Sequence, residues 1–450
     1  GRSVLELPRE SLTIEAFRGL ETEIVRAVVD GERPDSAELK IRLRPFFCAR
    51  AGSWQSANTH LHLKGIRREE ADRYLSQVPA ADGLDVLFVS YLERALADRT
   101  YVSNSYTRDE LANLGRRSGV VLASGEEHRH NFGAFGEGYG HVLFLDPAGW
   151  IRPVSIGSGI MSEGPDAPPL QAGIDRAKEE GATVLWCHNR LGLEGIPSWV
   201  AGRPHAQNIF DGDPDSYGSY EDTFYRYLNA GLRVSFSTGT DWFIDDFSRV
   251  YAKDARPGSA HEWLGALQSG RTFITNGPFL DLEVDGKGPG ETLPLEGPRR
   301  IRVSAWGLGR VDFRFLELIQ SGKLLARVPS QAEGRHFKAF LTTDLWIDEP
   351  AWIALRTPPP PRKGEPDSGF PQNELGGRLF AHTSATSIEV GGRGVFHPEV
   401  AQGLLGDVRS SLRTISKKAR FDDERQRQQV LSIYAEALSI LERRLAGRGR

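Results

Sequence analysis

Between residues 85 and 238 the chain repeats one pattern, a short apolar run followed by a stretch of helical composition. The runs are DVLFVS (85–90), GVVLAS (119–124), HVLFLD (141–146), ATVLWCH (182–188) and RVSFST (233–238), with DELANLGRRSG and LQAGIDRAKEEG among the stretches between them. Apolar strands alternating with helices restrict a chain to the α/β class. When such strands close into a barrel, the chemistry sits where they run out into loops. This texture holds from about residue 53 to 277. Residues 1–52 read instead as short strands with turns, a small and possibly incomplete β module. From 278 to about 395 strands return in FLDLEVDG, RRIRVSAWG, FKAFLTT and AWIALRT, the pattern of a β-sandwich. Residues 396–450 are helical, and Val430, Ile433, Tyr434, Ala437, Leu438, Leu441 and Leu445 recur at helical spacing as a core or docking stripe. With 450 residues the chain is too long for one core, so several domains are expected.

Composition narrows the partners. A net charge of −4 gives no support for a nucleic-acid or anionic-membrane partner, and no apolar run approaches the length of a membrane span. The two cysteines, Cys48 and Cys187, exclude a disulfide scaffold and an all-cysteine zinc site. Cys187, inside GATVLWCH, reads as a buried structural thiol. Any metal must therefore be held by histidine and carboxylate, ligands that suit zinc, manganese or iron.

The histidines are unevenly spread. Seven of the eleven (60, 62, 128, 130, 141, 188 and 205) fall between residues 60 and 205, inside the α/β region. In SWQSANTHLHLKG, His60 and His62 are two apart, which on a strand aims both imidazoles at one spot. SGEEHRH sets Glu126, Glu127, His128 and His130 after a buried strand, His141 opens HVLFLD, His188 ends ATVLWC, and Asp241 follows RVSFSTGT. Together these offer enough nitrogen and oxygen ligands for two metals that share a carboxylate. Such a pair generates hydroxide at neutral pH and polarises the bond under attack. A single zinc would leave some of these residues unused. A scatter of hydrogen-bonded histidines is the plain alternative. Arg190, two residues past His188, has the fork that orients carboxylate or phosphate, or else is a surface charge.

With these motifs in place, the chain resembles the PHP-domain metallohydrolases, in particular their carbaryl hydrolase-like (CehA/McbA) branch. SWQSANTHLH is similar to the opening motif of that branch. SGEE…GYGHVLFLD, GATVLWCHN and LNAGLRVSFSTGTDWF follow its later ligand segments, and GRTFITNGPFLDLEVDGKGPGE its patterned continuation. The similarity covers most of residues 10 to 395. It implies a distorted (β/α)7 barrel flanked by small β modules, with a metal cluster at the strand ends. By the same resemblance His60, His62, Glu127 and Asp241 would hold one metal, and Glu127, His141 and His188 a second, with Glu127 bridging. Glu126 is the alternative bridge, and His128 and His130 are spare candidates. The family motifs depart at Tyr91 and Leu92, where Asp-His is usual, and at Trp242 and Phe243, where the last motif ends in histidine. Those two positions serve the third metal of trinuclear members, so a dinuclear site is expected.

The expectation is then a hydrolase in which a hydroxide between two divalent cations (zinc or manganese, iron possible) attacks a small-molecule substrate. Asp241 and Glu127 are the expected catalytic residues, with Arg190, Tyr91 and Trp242 facing the substrate. Loss of a cation and gain of aromatics lean toward an ester, amide or carbamate, with a phosphoesterase as the alternative. A degenerate barrel acting as a binding protein is the rival from another class. An amidohydrolase barrel also uses a His-x-His strand and a late Asp, but lacks the GRTFITNGP continuation. Members of the branch are often exported, which leans weakly toward a periplasmic or secreted protein.

Overall fold

The computed structural model describes residues 8, 10–30, 38–92, 101–132, 138–157, 164–188, 192–211, 219–362, 365 and 369–447. Two strands near the start, β1 (Leu12–Ala16) and β2 (Val25–Val29), pair antiparallel in a sheet of their own. The site is built on the next eight: β3 (Trp54–His62), β4 (Val86–Leu92), β5 (Val121–His130), β6 (Gly140–Leu145), β7 (Thr183–Trp186), β8 (Ala206–Asn208), β9 (Ser235–Ser237) and β10 (Asp241–Trp242). The first seven, β3 to β9, lie side by side in chain order, parallel except for β6, which runs against both its neighbours. Only three residues separate β9 from β10, and β10 pairs parallel with β3. The run of strands thus curls round until its last member meets its first.

The helices that cover this run are α1 (Arg68–Ala81), α2 (Arg108–Ser118), α3 (Leu170–Glu179), α4 (Gly195–Val200), α5 (Phe224–Asn229) and α6 (Ala260–Gln268). Helix α2 shows how local chemistry sets an end. The Thr107 side chain accepts from the Glu110 amide while the Glu110 carboxylate accepts from the Thr107 amide, a capping box that satisfies two orphan donors. Gly119, at φ 73°, stops the helix in the left-handed region. Strand β3 is the axis of the assembly, and all nine of its residues are buried. That is possible because β4 covers one edge, while β10 and the later strand β11 (Arg249–Lys253) share the other.

From β11 the sheet continues without a break through β12 (Thr272–Thr275) into the C-terminal half. The strands there are β13 (Phe279–Val284), β14 (Thr292–Leu295), β15 (Arg299–Gly309), β16 (Phe315–Gln320), β17 (Lys323–Pro329), β18 (Gln331–Glu333), β19 (His336–Ile347), β20 (Ala351–Arg356), β21 (Ala381–Thr383) and β22 (Thr386–Val390). Four of them, in the order β13-β15-β19-β18, form a separate antiparallel sheet. The others join the large sheet, which reaches sixteen strands, parallel and antiparallel mixed. A shared apolar cluster, with Leu282, Val303, Leu341, Ile353 and Ile388 in it, packs the two sheets face to face as in a sandwich. The division expected at residue 277 is therefore bridged by backbone hydrogen bonds, β12 pairing directly with β21. Helices α7 (Pro398–Lys418) and α8 (Glu424–Ala446) close the chain. The stripe of α8, from Val430 to Leu441, packs into the same core as the site strands β6 and β7. Among the described residues no helix is long and apolar enough to cross a membrane.

Candidate metal centre

Strand alternation decides which polar residues meet. On β3, His60 and His62 turn their Nε2 atoms to the same point, 2.9 Å apart. The other nitrogen of each ring is committed. His60 Nδ1 donates to Asp211 Oδ2 at 2.7 Å, and His62 Nδ1 donates to the Ser90 carbonyl at 3.0 Å. In the neutral rings those bonds fix the tautomer and leave both Nε2 atoms as bare lone pairs. Two carboxylates crowd the same spot. Glu127 Oε2 lies 2.9 Å from His62 Nε2 and 3.6 Å from His60 Nε2, and Asp241 Oδ1 lies 3.5 and 3.8 Å from His60 and His62. With both rings neutral, four acceptors converge with no proton among them, and all but Asp241 are buried. Such a group repels itself unless positive charge sits in the middle.

The electrostatics say the same. Burial opposes protonation of His60, yet Asp211 and Asp241 together lift its pKa well above the usual imidazole value. Burial also opposes ionisation of Glu127, but the His60 and His62 imidazoles hold its carboxyl well below the ordinary range. A second proton on His60 or a metal cation would meet this demand, and the two nitrogens with two oxygens fit the ligand chemistry of zinc, manganese or iron.

A second group lies beside the first. Glu127 reaches it with its other oxygen, Oε1, 3.3 Å from His141 Nδ1. Both atoms are buried and make no hydrogen bond with a described residue. His188 completes the group, one ligand atom from each of Glu127, His141 and His188 falling within 4.8 Å of the others. Burial, then the charge of Arg129, pushes the His141 pKa well below the usual value, so its lone pair stays available. Two groups sharing one carboxylate, each oxygen facing a different group, is the arrangement of a bridged pair.

The loops that deliver these ligands are tightly constrained. His188 and Asp241 sit at positive φ, 58° and 59°, a region costly for residues with a side chain. Asn58 Nδ2 donates to Thr240 Oγ1 at 2.7 Å, and the Thr240 amide donates to the His60 carbonyl, which holds the approach to Asp241 against β3. Gly239 is required there, because a Cβ would stand 2.7 Å from that of His60.

The segment from Glu126 to His130, expected after a strand, belongs to β5 itself, so alternation sorts it into two sets. Glu127 and Arg129 face the cluster. Glu126, His128 and His130 face the opposite way, into the packing behind the sheet. There Glu126 accepts from the Ile151 amide at 2.7 Å and from Arg152 at 2.8 Å, with His128 Nε2 3.1 Å away. His130 stacks on Tyr139 at 3.8 Å and accepts from the Tyr139 amide. Tyr91 pairs in register with Glu126, and so shares that outer face, its ring stacked on Trp150 at 4.5 Å. The structure thus brings together His60, His62, Glu127, His141, His188 and Asp241, and it does not bring Glu126, His128, His130 or Tyr91 to them. Trp242 does border the cluster, 5.2 Å from the His62 ring, with Tyr101 5.4 Å from Trp242. Arg190 lies outside the described residues.

Two residues of the site escaped the sequence reading. Asp211 orients His60 and itself accepts from Asn208 Nδ2 at 2.9 Å. With Cys187 and His60 it forms a third group of potential ligands. The His60 nitrogen on that side is already occupied by Asp211, however, and burial pushes the Cys187 thiol well up, keeping it protonated. Asp211 therefore acts as the carboxylate behind a ligand histidine. Its one sequence signal is its place just past the apolar pair Ile209 and Phe210 that follows β8. The other residue is Arg129, paired across the sheet with His141. No family model, curated protein or solved structure matches the chain.

Proposed function

We propose that this protein is a metal-dependent hydrolase of the PHP type, built on a distorted (β/α)7 barrel and holding two divalent cations. The curled run of β3 to β10 supports the barrel, with β9 and β10 counted as one interrupted strand. The observation that carries the function is Glu127, whose two oxygens face two separate sets of imidazole lone pairs. His60, His62, Glu127 and Asp241 would hold one cation, and Glu127, His141 and His188 the other. When bound, such a pair lowers the pKa of a water and polarises the bond under attack.

The chain's own groups supply the rest. Asp241 is the most exposed of its four ligands, its side chain 13 % accessible, so its carboxylate can take a proton and pass it to solvent. Trp242 and Tyr101 wall the His62 side and keep bulk water away. The positions where a third cation would find ligands hold Leu92, in register with Glu127, and Phe243, packed on Tyr74 at 5.6 Å. Two cations and an aromatic wall favour a neutral scissile bond, an ester, amide or carbamate, over a phosphoester.

Elemental analysis of the purified protein tests the reading. About two equivalents of zinc, manganese or iron are expected, lost together in Glu127→Ala. Less than one equivalent, unchanged by His60→Ala, would sink it and leave a binding protein. Cleavage of p-nitrophenyl phosphate without cleavage of p-nitrophenyl acetate would replace the acyl substrate with a phosphoester.

A further inference from the structure

Among the described residues, Arg129 is the arginine or lysine that strand alternation places on the cluster's face of β5. Side chains two apart on a strand share a face, so Arg129 follows Glu127 on β5. On the neighbouring strand it stands opposite His141 in the antiparallel ladder, while Glu127 stands opposite Leu143. Opposite residues keep their Cβ atoms roughly 4.5–5.5 Å apart. Arg129 therefore adjoins both residues on which the second ligand group depends, one step nearer the strand end. It is partly exposed, as a residue at the mouth of a site is. Its Nε is nevertheless buried and has no hydrogen-bond partner among the described residues. No carboxylate of the described residues forms an ion pair with it, although Arg152 on the other face of the sheet has Glu126.

A guanidinium beside buried imidazoles, with no counter-ion among the described residues, is unfavourable unless an anion arrives with the substrate. Arg offers a planar fork of donors that matches an oxyanion in two bonds at once. We propose that Arg129 anchors an oxyanion of the substrate, a carboxylate or a phosphate, and so selects anionic substrates whose scissile bond lies over Glu127 and His141. The position of the scissile bond rests on the hydrolase reading; the anion site does not. The substrate class then becomes an ester, amide or carbamate that also carries an acidic group, or a phosphoester bound through its own charge.

The test is calorimetric titration of the full-length protein, as purified and after metal loading, with inorganic phosphate and with acetate. Arg129→Met should weaken binding of the preferred anion roughly tenfold or more, and Arg129→Lys should weaken it less, since lysine keeps charge but not the fork. The anion that suffers the larger loss identifies the group carried by the substrate. Unchanged affinity in Arg129→Met, or no binding of either anion by the unmodified protein, overturns the proposal and leaves Arg129 the role of keeping His141 neutral. Should Arg129→Met fail to fold, unaltered affinity in Arg129→Lys overturns it equally. Metal content measured on the same samples separates the two readings. Two equivalents with unchanged anion affinity removes only the anchor, and less than one equivalent with Arg129-dependent binding removes only the hydrolase.

Discussion

Glu126 and Glu127 are neighbours in sequence and equally buried, yet they live in opposite chemistries. Glu126 faces a backbone amide, a guanidinium and an imidazole, and its charge is answered by donors. Glu127 faces imidazoles on both sides: Oε2 lies 2.9 Å from His62 Nε2, and Oε1 is buried with no hydrogen-bond partner among the described residues. A buried carboxylate with its donors in place is part of the structure. One set among imidazoles with an oxygen left unpartnered is what the proposed metal site would use. The pleat of one strand separates the two cases.

Substitutions at these neighbours should therefore have opposite signatures. The largest effect is expected at Glu127: alanine there should reduce metal from about two equivalents to less than one by elemental analysis, with little loss of stability in the metal-free protein. Alanine at Glu126 should do the reverse, lowering unfolding free energy by about 3 kcal/mol in denaturant titration, as the Ile151 amide and its neighbours lose their acceptor, while metal content holds. If Glu126→Ala instead releases metal, the division between the faces is wrong. Asp211→Asn should be milder, weakening metal affinity roughly 10- to 100-fold by competition with a chelator, because it unsettles the His60 tautomer without removing a ligand.

The last effect also belongs to the outer face, and it depends on pH. Burial holds the folded His130 pKa down at about 3, against 6.5 as the ordinary value. Between these values the unfolded chain binds a proton that the folded one refuses. The stability that neutral His130 contributes is therefore present above pH 6.5 and lost as pH falls toward 3, by about 1.4 kcal/mol per unit. His130→Gln should flatten unfolding free energy against pH by that slope across the window. An unaltered slope would mean that water reaches His130, or that Asp166, 3.6 Å from its Nε2, answers the charge.

The α/β layering was legible in the sequence because alternating apolar runs and helices are a local signal. The same holds for His60 and His62, whose spacing on a strand has one geometric outcome. His141, His188 and Asp241 could be picked out because each adjoins an apolar run. What stayed hidden depends on distant partners. GEEHRH could be sorted into two faces only once β6 was known to extend the pairing through His130. Arg129 could be singled out only when no carboxylate among the described residues came to it. Asp211 follows a strand of three residues, too short to register as a run, and its meaning lies in His60, far away in the chain. The continuity of the large sheet past residue 277 likewise rests on β12 meeting β21, a pairing that no periodicity within either segment announces.

The curled strands meet at a thin seam. Strand β10 contributes only Asp241 and Trp242, opposite Leu61 and His62, and the backbone around them is in strained conformations. Asp241 belongs to one side of that seam, and His60 and His62 to the other. A cation held between them, as proposed, would also be a clasp across a pairing only two residues long. Ligand that favours the closed form stabilises it by roughly 4 kcal/mol at a thousandfold excess over its dissociation constant. Availability of metal would then govern the integrity of the wall as well as the chemistry inside it.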